Sequence, residues 1–278
     1  MDASWFSLIL LATSVLAGLL GALSGLGGGV VIVPVLTVIF RVDIHYAIGA
    51  SLVSVIATSS GAAAAYVREG FSNIRVGMFL EIATTLGALL GAWLTTRVPS
   101  HAIGVVFGVV LLYSAYASVK KHEETHTQKP DALALRLKLR GSFPTGPGAH
   151  EDYVAQRVPA GFSLMALAGT LSGLLGIGSG AVKVIAMDQA MRLPFKVSTT
   201  TSNFMIGVTA AASAGIYLRS GYIAPALVFP VMLGVLLGSL IGSRVLVRAR
   251  VRTLRLVFAL VIVALGVEMI VNSIRGWL

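Results

Sequence analysis

Apolar residues run almost unbroken over eight stretches of the chain, approximately 5–40, 46–67, 74–96, 101–119, 160–191, 197–218, 222–247 and 253–274. A helix needs about 20 residues to cross the hydrocarbon core of a bilayer, so most of these predict single spans. The first and fifth are longer. Each is interrupted near its middle by a glycine-rich run, Ser24-Gly25-Leu26-Gly27-Gly28-Gly29-Val30-Val31 and Leu175-Gly176-Ile177-Gly178-Ser179-Gly180-Ala181-Val182. Glycine admits positive φ and close backbone approach, so such a run breaks a helix and leaves amide groups without partners. In lipid those amides must face protein, water or a ligand.

The polar positions collect between the halves. Residues 120–159 hold Lys120, Lys121, Glu123, Glu124, Lys129, Pro130, Asp131, Pro144, Pro147, Glu151 and Asp152, which predicts a solvated linker. Within it Leu133, Leu135, Leu137 and Leu139 alternate with Ala134, Arg136 and Lys138. That period of two fits a short amphipathic strand or hairpin on the membrane surface, or a segment without fixed structure. The expected division is a first transmembrane repeat over 1–119, a polar cytoplasmic linker over 120–159 and a second repeat over 160–278.

The halves align on one another without a gap at an offset of 151 positions. Gly18 falls on Gly169, Gly25 on Gly176, Gly27 on Gly178 and Gly29 on Gly180. Arg41 meets Arg192, Ser51 meets Ser202, Thr58 meets Thr209, and Tyr66, Arg68 and Gly70 meet Tyr217, Arg219 and Gly221. Gly87 and Gly91 meet Gly238 and Gly242, a spacing of small residues suited to close helix packing. A single register carrying this many identities marks an internal repeat.

Composition places the chain in a membrane. Of its 278 residues 56% are hydrophobic and 12% charged, against about 25% charged in soluble domains, and the mean hydropathy is +0.89. There is no cysteine, hence no disulfide framework or thiolate metal site. The net charge of +10 reads as the Lys and Arg of cytoplasmic loops rather than a nucleic-acid surface. No Lys or Arg precedes Arg41, so the first apolar stretch is expected to stay in the membrane rather than be cleaved.

Charge also orients the repeats. If each half made four ordinary crossings, the basic linker and the loop with Arg248, Arg250 and Arg252 would lie on opposite faces, against the positive-inside bias. If each glycine-broken segment returns to its own side, the linker, Arg68, Arg75, Arg192, Lys196 and Arg248 to Arg252 are all cytoplasmic. Arg41, Arg97, Arg219 and Arg275 then lie outside with both termini. The expected fold is therefore an all-α polytopic membrane protein of two inverted structural repeats. Each repeat has a glycine-broken helix, re-entrant or discontinuous, plus about three crossing helices. Two such breaks meeting near the midplane follow the plan of secondary transporters.

Several residues could carry chemistry there. Amides of Gly27, Gly28, Gly29, Gly178, Ser179 and Gly180, at the start of a following half-helix, would attract an anion. Lys183 stands where the first repeat has Ile32; a cation inside an apolar segment is costly unless paired or hydrated, which makes Lys183 a candidate anion ligand, with a pair to Asp188 or snorkelling to the surface as the alternatives. Ser198-Thr199-Thr200-Thr201-Ser202-Asn203 opens the sixth stretch. Of these Ser202 and Asn203, with Ser51 of the first half, are candidate anion ligands or interhelical glue. Glu81, opposite Met232 in the repeat, could relay protons or counter a cation. No nucleophile–base pair, carboxylate pair or metal cluster stands out, so an enzyme is not expected. No cofactor is implied.

The repeated Gly-x-Gly-Gly-Gly-…-Pro pattern, Gly25 through Pro34, with a degenerate second copy in Gly176 to Val184, resembles the sulfite exporter TauE/SafE family. The likeness extends over both halves, the Ser51 and Ser202-Asn203 helices and the basic linker. The second copy departs from it at Ser179, Lys183 and Ile185. The resemblance implies a bacterial inner-membrane permease for small anions such as sulfite, sulfonates or related organosulfur acids, surrounded by lipid and without nucleic-acid partners. A homodimer is compatible with it. An anion channel and a non-transporting accessory protein are the alternatives.

Overall fold

The computed structural model describes residues 3–24, 28–68, 72–119, 131–146, 149–248 and 251–276. Gly27 and the linker residues Lys120 to Pro130 therefore lie outside the described residues. Eight helices of 18 to 25 residues form the body: α1 (Ala3–Ser24), α3 (Ile44–Arg68), α4 (Ile74–Thr95), α5 (Ser100–Val119), α7 (Val158–Leu175), α9 (Phe195–Arg219), α10 (Pro225–Arg248) and α11 (Val251–Ile274). Short helices α2 (Gly29–Pro34) and α8 (Gly180–Ile185) follow the glycine runs, and each continues into a π-helical turn, Val35–Ile39 and Ala186–Ala190. Two of the helices, Ile74–Thr95 and Val158–Leu175, are long and apolar enough over their described residues to cross a bilayer.

The register found in the sequence governs the element boundaries. Helices α2 and α8, the two π-helical turns, and α3 and α9 start and stop 151 positions apart. Both π turns close alike, Phe40 N–H on Val35 O at 3.3 Å and Met191 N–H on Ala186 O at 3.1 Å. Each is followed by an arginine in the left-handed region, Arg41 at φ 52° and Arg192 at φ 51°.

Packing is reciprocal across the halves. Helix α1 packs on α10 and α4 on α7, while α3 pairs with α9 and α5 with α11. The seams use glycine in matching places. Gly87 abuts the backbone of Ala166 as Gly238 abuts that of Val15. Small residues let helix backbones touch where lipid supplies no hydrophobic drive for association. Large apolar side chains face outward instead, as Met78, Ile82, Leu86 and Trp93 do along α4 while Gly77, Leu80, Thr84, Gly87 and Gly91 face in.

Helices α3 and α9 run in opposite directions. His45, at the start of α3, and Tyr217, near the end of α9, both reach Thr95 at the end of α4. Thr201, near the start of α9, instead meets Asn73, the N-cap of α4. The Arg75, Arg140 and Lys196 positions thus gather at one end of the bundle, and Arg41, Arg97 and Arg219 at the other.

The linker departs from its expected form. The alternating leucines form no strand; Ala132–Arg136 is a short helix, α6, and the hairpin lies beyond it as β1 (Arg140–Gly146) and β2 (Ala149–Val154), paired antiparallel. Asp131 decides this locally. One carboxylate oxygen caps Leu133 N–H at 3.0 Å, and the other accepts from Val158 N–H at 3.1 Å, tying α6 to the start of α7. Leu133, Leu135 and Leu137 are exposed, whereas Ala134 and Leu139 are buried. Leu139, Phe143, Tyr153 and Ala155 pack into one core with Val76 and Leu80 of α4, Met165 of α7, Met187 and Met191 after α8, and Val197 and Met205 of α9.

Candidate functional site

The two glycine runs meet. Gly29 is so close to the second run that a Cβ there would lie 2.6 Å from Ser51 Oγ and 3.0 Å from the carbonyl oxygen of Gly176. Ser51 Oγ donates to that carbonyl at 2.7 Å, clamping α3 of the first half onto the glycine run of the second. Ser202 Oγ donates to Gly180 O at 3.3 Å. Both serines were candidate anion ligands, and both commit their single hydroxyl proton to a backbone carbonyl. A hydroxyl so engaged has only acceptor capacity left, so these two shape the site.

The runs are not equivalent in conformation. Gly28 is right-handed, at φ −64°, while its counterpart Ser179 is left-handed at φ 47°, following Gly176 and Gly178 at φ 67° and 68°. A side-chain-bearing residue is uncommon there. Helix α7 stops at Leu175 because Gly176 turns the chain left-handed, and α8 restarts at Gly180. Gly178 also touches the opposite half, since a Cβ on it would lie 3.4 Å from Val55. The Ser179 hydroxyl is buried and has no hydrogen-bond partner among the described residues. Asn203 is half-buried on α9. The first amides of a helix have no intrahelical acceptor, so unspent donors collect at this junction.

Lys183, one turn into α8, is fully buried. Its ammonium donates to Thr209 Oγ1 at 2.6 Å. The Thr209 hydroxyl carries one proton and has two acceptors, Glu81 Oε1 at 2.8 Å and Met205 O at 2.9 Å. Thr85 Oγ1 also donates to Glu81 Oε1, at 3.1 Å. Glu81 Oε2 is buried without a partner among the described residues. Three elements, α8, α9 and α4, thus bring a buried cation and a carboxylate to one threonine. The counterparts in the other half are Ile32 and Thr58 for Lys183 and Thr209, and Met232 for Glu81; among the described residues Thr58 bonds its own helix, at Ser54 O and Val55 O. Lys183 and Glu81 were each legible as functional candidates; their meeting at Thr209 was not. The Thr58/Thr209 match in the repeat was the one signal pointing to it.

A second cluster closes the other end of α9. The Tyr217 hydroxyl lies 2.9 Å from Thr95 Oγ1 and 3.0 Å from Gly173 O, joining α9 to α4 and α7. The His45 ring sits between Asp43 Oδ1 at 2.9 Å and Thr95 O at 3.2 Å, and stacks on Tyr222 with centroids 4.8 Å apart. No sequence pattern had singled out these residues as a group.

Long helices with apolar outer faces, seams of small residues and a buried charged cluster define a helical membrane protein. The model of the sulfite exporter TauE/SafE family matches residues 10–269, and the chain belongs to that family. Among curated proteins it is 27% identical over 273 residues to the probable membrane transporter protein YunE of Bacillus subtilis (strain 168), covering 96% of this chain and 98% of that one. It is 27% identical over 229 residues to the probable membrane transporter protein YdhB of the same organism, covering 82% and 84%. A probable membrane transporter protein of Xylella fastidiosa (strain 9a5c) is 26% identical over 217 residues, covering 77% and 75%. No solved structure matches. Family and relatives alike mark a membrane transporter rather than an enzyme.

Proposed function

We propose that the protein carries a small sulfur-containing anion, sulfite or an organosulfonate, across the bacterial inner membrane by alternating access, with the anion bound between the two glycine runs. The convergence of Gly29 and Gly176 at Ser51 carries this reading, because it brings the breaks of both halves to one place. The amides of Gly28, Gly29, Ser179 and Gly180, with the Ser179 hydroxyl and Asn203, supply the donors. Lys183 supplies positive charge one turn away, Ser51 and Ser202 hold the runs in place, and Glu81 is the candidate for proton coupling. Gly178 belongs to the second break, and Gly27, outside the described residues, is its counterpart in the sequence of the first.

The opposed directions of α3 and α9 support an inverted arrangement of the two repeats, and with it a carrier whose halves exchange roles. The gathering of basic residues at the hairpin end supports a cytoplasmic linker and extracytoplasmic termini. The family's description, sulfite exporter, supports the choice of anion.

The test is uptake into proteoliposomes. Saturable entry of sulfite or methanesulfonate, lost in Lys183→Ala while the variant stays monodisperse, is the expected result. Unchanged transport by that variant removes Lys183 from the site. Ohmic current without saturation would make the protein an anion channel, and failure of every anion tested would leave the accessory role. Thermal stabilisation by sulfite, sulfoacetate, other sulfonates, sulfate and carboxylates then ranks the substrates.

A further inference from the structure

Lys183 and Glu81 form a buried pair whose formal charges cancel, and a single hydroxyl stands between them. Each is the charged group acting on the other among the described residues. The remaining groups around the carboxylate are the neutral hydroxyls of Thr84, Thr85 and Thr209. The ammonium has three N–H groups, of which one is held among the described residues, by Thr209. It can therefore receive a second ligand without releasing the first.

The carboxylate is unevenly used. Oε1 accepts from both Thr85 and Thr209. Oε2 is buried and unpartnered among the described residues, and an oxygen left bare in that way is where an added proton forms its bond. Thr209 is built to respond. Its one proton can point to Glu81 Oε1 or, by rotating about the Cβ–Oγ1 bond, to Met205 O on its own helix. Throughout, its oxygen keeps accepting from Lys183.

An anion bound against Lys183 would add a negative charge to this buried, neutral cluster. Low local dielectric makes an uncompensated charge costly, and a proton on Glu81 compensates it. We propose that anion binding at Lys183 is coupled to uptake of one proton on Glu81 Oε2, with Thr209 as the positioning residue that turns its hydroxyl from Glu81 to Met205. The proton comes from a hydronium ion on the access path, whose O–H bond breaks as an O–H bond forms at Oε2, leaving a neutral water; no other bond changes. The loaded carrier then has the net charge of the empty one, which makes transport an electroneutral symport of one proton with each monoanion. The inference rests on the anion site proposed above. It also confines coupling to one copy of the repeat, because Ile32, Thr58 and Met232 offer no such pair.

Infrared difference spectra of the purified protein test this directly, with sulfite and methanesulfonate as probes. A protonated carboxyl C=O band should rise on adding either anion to the wild type and be missing in Glu81→Gln. Thr209→Val should shift or abolish the band, and Thr209→Ser should restore it, which a purely structural role would not require. Lys183→Met should show the band without any anion, since a lone buried carboxylate takes up a proton. The double variant Glu81→Gln/Lys183→Met removes both charges, keeps a neutral core and should show no band in either condition. In proteoliposomes, entry of methanesulfonate, which carries no proton of its own, should acidify the lumen without current under a voltage clamp. Counterflow of either anion with no carboxyl band, or with a net current, overturns the coupling and leaves the transport reading standing. Absence of counterflow and of thermal stabilisation by both anions overturns the two together.

Discussion

Gly169 and Thr84 pack backbone against backbone: a Cβ on Gly169 would sit 2.7 Å from the Cα of Thr84 and collide with its carbonyl oxygen. Gly18 stands in the same relation to Val235, also 2.7 Å from a Cα, at the equivalent place in the other half. Neither neighbour is a flexible side chain that could move aside.

Gly169→Ala should therefore lower stability by about 1–3 kcal/mol, the usual cost of overpacking a close contact. Gly215 has nothing within 4 Å of an added Cβ. Gly215→Ala should leave the melting temperature unchanged or raise it, since alanine is the better helix former. Thermal unfolding in detergent, read by size-exclusion chromatography, checks both.

Thr209→Val keeps the shape of a fully buried residue and removes the one acceptor held by the Lys183 ammonium. The loss expected for orphaning a buried polar group is about 1–3 kcal/mol, more for a charged one. Thr209→Ser should recover most of it. Equal melting temperatures for Val, Ser and wild type would mean that the bond contributes nothing to stability.

Tyr217→Phe deletes a hydroxyl placed between Thr95 Oγ1 and Gly173 O. A drop of about 0.5–1.5 kcal/mol is expected for one neutral hydrogen bond. Hydrogen exchange should rise in the last turns of α9 while the first turns, anchored at Thr201 and Asn73, stay protected.

The hairpin should respond to alkali. Burial pushes the Tyr153 phenol above its ordinary value of 10.0, against a smaller opposing effect of the Asn73 amide, which donates to its oxygen at 2.8 Å. The folded state prefers the neutral phenol, so this contribution is fully present below the ordinary value of 10.0 and is lost as the pH rises beyond it. Limited proteolysis within 140–154 should increase above that pH in the wild type. The pH dependence should be weaker in Tyr153→Phe, which cannot ionise.

Much of the architecture is readable from one register. The match of Arg41 to Arg192 and of Gly87 to Gly238 anticipated elements that start, turn and pack in corresponding places, because identical local sequence meets identical local physics. The linker was less readable. Its leucines alternate as a strand would, yet a single Asp131 cap and the burial of Ala134 and Leu139 favour a helical turn there. At the site, the cost of burying Lys183 marked it as a candidate without saying what it meets. That depends on how α4, α8 and α9 are rotated about their axes, which distant contacts decide. Ser51 and Ser202 show the converse: hydroxyls in an apolar helix suggested ligands, and in the fold each donates to a carbonyl of the second glycine run.

The α6–hairpin segment exists once in a chain whose other elements come in pairs. In a carrier whose two halves exchange conformations, likeness between the halves makes the inward-facing and outward-facing forms nearly degenerate, and only what is unpaired can tell them apart. Asn73 couples the hairpin, through Tyr153 and Arg140, to α4 and α9, the helices that bear Glu81 and Thr209. On the alternating-access reading proposed above, the same small unit that fills one end of the bundle is placed to bias which way the empty carrier rests, and so which side of the membrane it samples first.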